Sequence, residues 1–66
     1  MSFANKLKEL RIQRNLTQEQ MAELIEVHPR TYRNYENGKT IPKIPVFRKI
    51  VTALDTTADE ILEIDS

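Results

Sequence analysis

Three residues, Glu26-Val27-His28, are all that separate two stretches that both read as helices. So short a connection keeps the second helix from folding back along the first. It forces a sharp crossing and leaves the second helix mounted outward. The punctuation on either side is explicit. Thr17-Gln18-Glu19-Gln20 is a capping box, in which the Thr17 hydroxyl accepts the backbone N–H three residues on and the Gln20 side chain reaches back. Pro29 is preorganised for a first helical position, and Asn37-Gly38 offers a left-handed stop.

The apolar period is helical elsewhere too, with no sustained alternation of apolar and polar residues. Phe3, Leu7 and Leu10 form one stripe, Met21, Ala22 and Ile25 a second, and Phe47, Ile50, Val51 and Leu54 a third. Thr57-Ala58-Asp59-Glu60 reads as a second capping box, with Ile61 and Leu62 on the buried side of the helix it opens. The pattern predicts an all-α, compact five-helix bundle with helices at about 3–14, 17–25, 29–36, 45–54 and 58–63. Its ending after the fifth helix reads as that of a complete domain.

At 66 residues the chain has room for one small domain, 1–66, and with no cysteine it has neither disulfides nor thiolate ligands. No stretch approaches the roughly 20 apolar residues a bilayer crossing needs. The start, Met1-Ser2-Phe3-Ala4-Asn5-Lys6, lacks a signal peptide's apolar segment, so a cytoplasmic location is expected. Catalysis has little footing. Serine occurs only at Ser2 and Ser66, and His28 is the sole histidine, without a spaced second ligand for a metal. No catalytic residue, metal, cofactor or small-molecule ligand is implied.

The formal net charge is zero, but its distribution is uneven. Residues 1–49 hold all ten basic residues against five acids, while residues 50–66 hold five acids and no base. The split suggests a cationic working face and an acidic end, or merely self-neutralisation.

Several segments in this order and spacing resemble the Cro/phage-repressor (XRE-type) helix-turn-helix family. They are Leu10-Arg11, Leu16-Thr17-Gln18, Met21-Ala22, Val27, Tyr35-Glu36-Asn37-Gly38-Lys39, Pro42, Leu54 and Asp59-Glu60-Ile61-Leu62. The resemblance runs from about Leu7 to Leu62. It implies a lambda repressor-like DNA-binding domain, a transcriptional regulator and most simply a repressor, that binds a palindromic operator as a homodimer with helix 29–36 in the major groove of double-stranded DNA.

On that resemblance the base-reading positions fall on Pro29, Arg30 and Asn34, with Thr31 and Arg33 beside them. Arg30 and Asn34 lie i, i+4 apart, so both leave the same face. Arg30 can fork onto guanine O6 and N7, Asn34 can pair with adenine, and Pro29 offers only apolar contact. Arg33, one step off that face, suits a phosphate. Gln18 matches the family glutamine that bonds a phosphate at a helix N-terminus, and Thr17 and His28 are further phosphate candidates. Asn37, Lys39 and Lys43 lie in or beside the loop that runs along the sugar-phosphate backbone in relatives. A solvated charged face would account for the same residues.

Tyr32 and Tyr35 read as core, with hydroxyls that could reach the surface and, for Tyr32, a phosphate. Arg11 and Glu36 match the family's buried ion pair. Ile44, Val46, Ile61 and Ile64 are the dimer candidates. Glu26 and Asp55 stand where relatives often carry Gly, so both are expected in left-handed backbone, and Lys43 is a poor cap. The rival reading is a protein-interaction module on the same fold, an antirepressor or accessory protein that binds through the acidic end.

Overall fold

Five helices account for most of residues 2–62, the part of the chain that the computed structural model describes. They are α1 (Phe3–Gln13), α2 (Gln18–Leu24), α3 (Pro29–Asn37), α4 (Ile44–Ala53) and α5 (Ala58–Leu62). All five expected helices are present, and their ends differ from expectation by one residue in most cases. Thr17 and His28 stand outside their helices as N-caps, which is where a capping side chain belongs. Ser2, which the sequence reading did not use, caps α1 by accepting the Asn5 N–H at 3.2 Å.

The Thr17–Gln20 capping box closes in both directions, at 3.0 and 2.9 Å. Its expected counterpart at α5 closes only half-way. Thr57 Oγ1 accepts the Glu60 N–H, but the Glu60 carboxylate turns to the Thr56 hydroxyl at 2.7 Å instead of reaching back. Lys43 gives α4 no side-chain cap, and Pro45 in the first turn fixes the backbone angle there instead.

The first four helices stop in one shared way. After α1, α2 and α4, the chain turns left-handed at Asn15 (φ 57°), Glu26 (φ 61°) and Asp55 (φ 51°), and after α3 at Gly38 (φ 77°). In each, the next residue's N–H reaches back over the last turn: Leu16 to Arg11 O, Val27 to Ala22 O, Lys39 to Asn34 O and Thr56 to Val51 O. These paired returns satisfy carbonyls that a helix end leaves open. Leu16 and Val27 also drop an apolar side chain onto the core, which ties the stop to packing. The expected left-handed backbone at Glu26 and Asp55 is therefore present. The Glu26 carboxylate is engaged by Lys49 Nζ at 2.5 Å across the α2–α4 contact.

Asp55 has no such compensation, because among the described residues its side chain makes no hydrogen bond or ion pair, and Arg14 uses only its backbone oxygen. Asp55→Gly should therefore relieve Cβ strain while keeping every contact. Net of the extra freedom glycine gives the unfolded chain, we expect a gain of about 0.5–1 kcal/mol. Thermal unfolding followed by circular dichroism should move up by about 2–8 °C.

The core is continuous through Leu7, Leu10, Met21, Ala22, Ile25, Tyr32, Tyr35, Ile50, Leu54 and Ile61. α3 packs on both α1 and α2, α5 on α1, and α4 on α2. Two expectations need correction. Ile61, proposed for a dimer contact, is 0% exposed in the monomer's own core, because α5 turns that side chain onto α1. Leu62, expected to be buried beside it, is 43% exposed, because the next side chain on a helix points about 100° away. Ile64 lies outside the described residues.

Candidate nucleic-acid interface

A helix presents a rigid outer face only if its inner face is held. In α3 the inner face is Tyr32, Tyr35 and Glu36, all buried, with the tyrosine rings edge-to-face at 6.4 Å and 83°. At about 100° per residue, Arg30, Arg33, Asn34 and Asn37 must then fall on the opposite side, at i, i+3, i+4 and i+7. Arg30, Arg33 and Asn37 are exposed, Asn34 is half-buried, and Pro29 and Thr31 flank the stripe half-buried. The stripe therefore faces outward, and the expected base-reading pair Arg30 and Asn34 shares it.

The anchor beneath α3 is a carboxylate that collects every donor it can accept. Glu36 Oε2 accepts Arg11 Nε at 2.6 Å and also the Tyr32 hydroxyl. Its Oε1 accepts Gln18 Nε2 at 3.1 Å and a second Arg11 N–H at 3.3 Å. Arg11 spends a further N–H on the Leu16 carbonyl at 2.7 Å. Among the described residues no buried side-chain polar atom lacks a partner.

Burial alone would push the Glu36 carboxyl up, but hydrogen bonds from Arg11, Tyr32 and Gln18 outweigh it and hold the group below its usual range. Hydrogen bonding to Glu36 raises Arg11 in turn, against burial. Burial, chiefly, pushes the Tyr32 phenol far above its ordinary value, with the Glu36 charge adding to the shift. The expected Arg11–Glu36 ion pair is present. The Tyr32 hydroxyl points inward to Glu36, so it is not a surface group able to meet a phosphate.

Around this anchor sit the groups expected at phosphates. Thr17 is exposed; its oxygen accepts the Gln20 N–H and its own O–H remains to donate. Gln18, first residue of α2, is half-buried, with one N–H of its amide on Glu36. His28 Nδ1 accepts the Arg30 N–H at 3.0 Å, which requires that nitrogen to be unprotonated and leaves Nε2 as the outward nitrogen. Arg33 lies 3.9 Å from Glu19 on the first turn of α2, a loose surface pair that sets the two helices' polar groups side by side. Lys39 and Lys43 are exposed in and at the end of the loop after α3, and neither they nor Arg30 form an ion pair among the described residues.

The contact between Gln18 and Glu36 escaped the sequence reading. It joins residues 18 apart on two helices, a separation that no helical period marks. Ile41 also escaped it; 79% exposed, it stands in a loop and belongs to no stripe. Ile44, by contrast, is 69% exposed as expected of a surface candidate, and Val46 is half-buried against the core. Phe3, Ile41, Pro42, Phe47 and Leu62 line an apolar groove of about 140 Å³. No helix among the described residues is long and apolar enough to cross a membrane.

A short α2, a tight turn and an outward polar α3 pinned from beneath define a helix-turn-helix protein. Residues 7–61 match the helix-turn-helix family model, and the chain belongs to that family, in its XRE-type, repressor-like branch of DNA-binding transcription regulators. It is 39% identical over 62 residues to the HTH-type transcriptional activator BcrR of Enterococcus faecalis, covering 94% of this chain and 30% of that protein. It is 40% identical over 48 residues to the cryptic phage CTXphi transcriptional repressor RstR of Vibrio cholerae, covering 73% of this chain and 43% of that one. The chain thus spans less than half the length of either relative.

Among solved structures, a transcriptional regulator from Listeria innocua superposes with a TM-score of 0.89 at 31% identity, covering 98% of this chain and 61% of that one. The restriction-modification controller protein C.AhdI from Aeromonas hydrophila gives 0.85 at 30%, covering 91% of both chains.

Proposed function

We propose that residues 1–66 act as one DNA-binding domain that regulates transcription, binding a palindromic operator as a homodimer with α3 in the major groove. The observation that carries this reading is the polar stripe of Arg30, Arg33, Asn34 and Asn37 on a helix whose other face is locked by Tyr32, Tyr35 and Glu36. Two such helices, related by two-fold symmetry, would sit about 34 Å apart, one turn of B-DNA. In this reading Pro29, Arg30, Thr31 and Asn34 meet base edges. Thr17, Gln18, His28, Arg33, Asn37, Lys39 and Lys43 meet the backbone, and the site of action is the cytoplasm.

Repression by occupying the operator is the proposed outcome, and a reporter fused to the selected operator reads its sign. Selection from random duplexes, followed by sequencing, tests the whole reading. A recovered palindrome supports it, whereas failure to bind any duplex at about 50 mM salt, with the protein folded, removes it. Arg30→Ala should relax preference at one base position and weaken the selected site by about 1–3 kcal/mol, leaving random-sequence binding much less affected.

The second copy is proposed to meet the first through the exposed Ile44 at the start of α4, with the half-buried Val46 two residues on. Ile44→Asp places a charge on that surface while leaving the core untouched. We expect sedimentation to report a monomer and the operator to lose most of its advantage over random DNA.

A further inference from the structure

A carboxylate can accept hydrogen bonds but cannot donate them, and this settles which way the Gln18 amide faces. Glu36 Oε1 sits 3.1 Å from Gln18 Nε2, so the amide turns its NH₂ end toward α3. Glu36 is itself fixed by Arg11 and Tyr32 and is almost fully covered, its side chain 2% exposed. Gln18 makes no other side-chain hydrogen bond among the described residues, and it is only half-buried. One of its two N–H groups is therefore held, and the second leaves the same nitrogen at a fixed angle. Without that hold, the last torsion of a glutamine is broad and two-fold, and the carbonyl oxygen would take the nitrogen's place as readily.

We propose that Glu36 is a positioning residue for DNA: through a single hydrogen bond it orients the Gln18 amide so that an N–H is presented to a backbone phosphate. The inference rests on the reading that α2 and α3 dock on DNA, and it adds a task to a residue that touches no DNA itself. A carbonyl oxygen in that place would repel a phosphate, so the orientation decides whether Gln18 helps or hinders. Arg11 and Tyr32 serve the same end one step back, by keeping Glu36 charged and still. The buried ion pair thereby belongs to the binding face as well as to the core.

A double-mutant cycle separates this role from simple support of the fold. Affinity for a random-sequence duplex at about 50 mM salt is measured for the wild type, Glu36→Gln, Gln18→Ala and the double variant, each shown by circular dichroism to be folded at the assay temperature. Ordering one long side chain corresponds to a loss of about 3–10-fold for Glu36→Gln. That loss should vanish in the Gln18→Ala background. An equal loss in both backgrounds, or no loss in either, overturns the proposal.

Should Glu36→Gln fail to fold, the wild-type protein still answers by NMR. The Gln18 side-chain N–H that Glu36 holds should be shifted from its partner by more than in the exposed Gln13 amide, and added duplex should shift the other one. A pair spaced like that of Gln13, or one that duplex leaves unmoved, overturns it. Wild-type protein that binds no duplex sinks the regulator reading along with it, whereas binding with an additive cycle sinks the positioning role alone.

Discussion

Arg11→Ala should come close to unfolding the protein. The substitution strands Glu36 beneath α3 with only Tyr32 and Gln18 as donors, and it also strips the Leu16 carbonyl of its partner. Breaking one side of a buried pair costs about 3–5 kcal/mol, chiefly because the survivor is left charged and buried. At roughly 0.05–0.15 kcal/mol per residue, a chain of this length holds only about 3–10 kcal/mol in total, of which that loss is a third or more. Urea unfolding at neutral pH should show the midpoint collapse toward zero denaturant. A variant that retained most of its midpoint would mean that Tyr32 and Gln18 suffice to satisfy the carboxylate.

The pH dependence sharpens the same test. In the wild type the Glu36 carboxyl is held below its usual value, so the unfolded chain takes up the proton first. Its contribution is present above the unfolded value of about 4.3 and is lost as pH falls through the lower folded value. Without Arg11, burial meets only two opposing hydrogen bonds and the folded value rises. The fall in stability on acidification should then flatten relative to the wild type. An equally steep acid loss in Arg11→Ala would place the titrating group elsewhere.

How much of this was legible beforehand depended on the range of the interaction. Local rules found the helices, because Thr17, Pro29 and Gly38 act within one turn of themselves. The left-handed backbone at Glu26 and Asp55 was expected from family resemblance alone, because relatives often carry Gly at both positions; Asn15, which turns the same way, had no such guide. The α5 box failed where a neighbour competed: Thr56 offers a hydroxyl to Glu60 more directly than the Thr57 backbone does, and a four-residue pattern does not see it. Arg11–Glu36 joins residues 25 apart, and it was expected from family resemblance alone. The Gln18–Glu36 bond had no such guide. Ile61 was expected both on the buried side of α5 and at a dimer contact, because apolar residues on a short helix do not reveal which neighbour covers them, and only the packing of α5 on α1 decides.

The steepest response should be to salt. Each protomer brings four cations to the proposed face: Arg33, Lys39 and Lys43 at the phosphates, and Arg30 in the groove between the strands, where its charge also displaces counterions. A dimer would then neutralise about 8 phosphates, and counterion release gives a slope near −7 in log affinity against log salt. Between 50 and 200 mM salt, affinity should fall by about 10⁴-fold. The zero net charge does not argue against this, because exposed charges farther apart than about 10 Å are largely screened at 0.1 M salt. Asp55, Asp59 and Glu60 lie after α4 and on α5, elements that contribute nothing to the polar stripe. Glu19 is the exception: it stands beside Arg33, and as phosphate replaces it there the slope should fall slightly short of the full count. Lys43→Gln should make the dimer's slope shallower by about 2, one contact per protomer, while a monomeric Ile44→Asp should show about half the wild-type slope. A wild-type slope shallower than about −2 would mean that these cations do not meet the backbone. In that event the outward stripe would have to serve a protein partner, and the interaction-module reading would take its place.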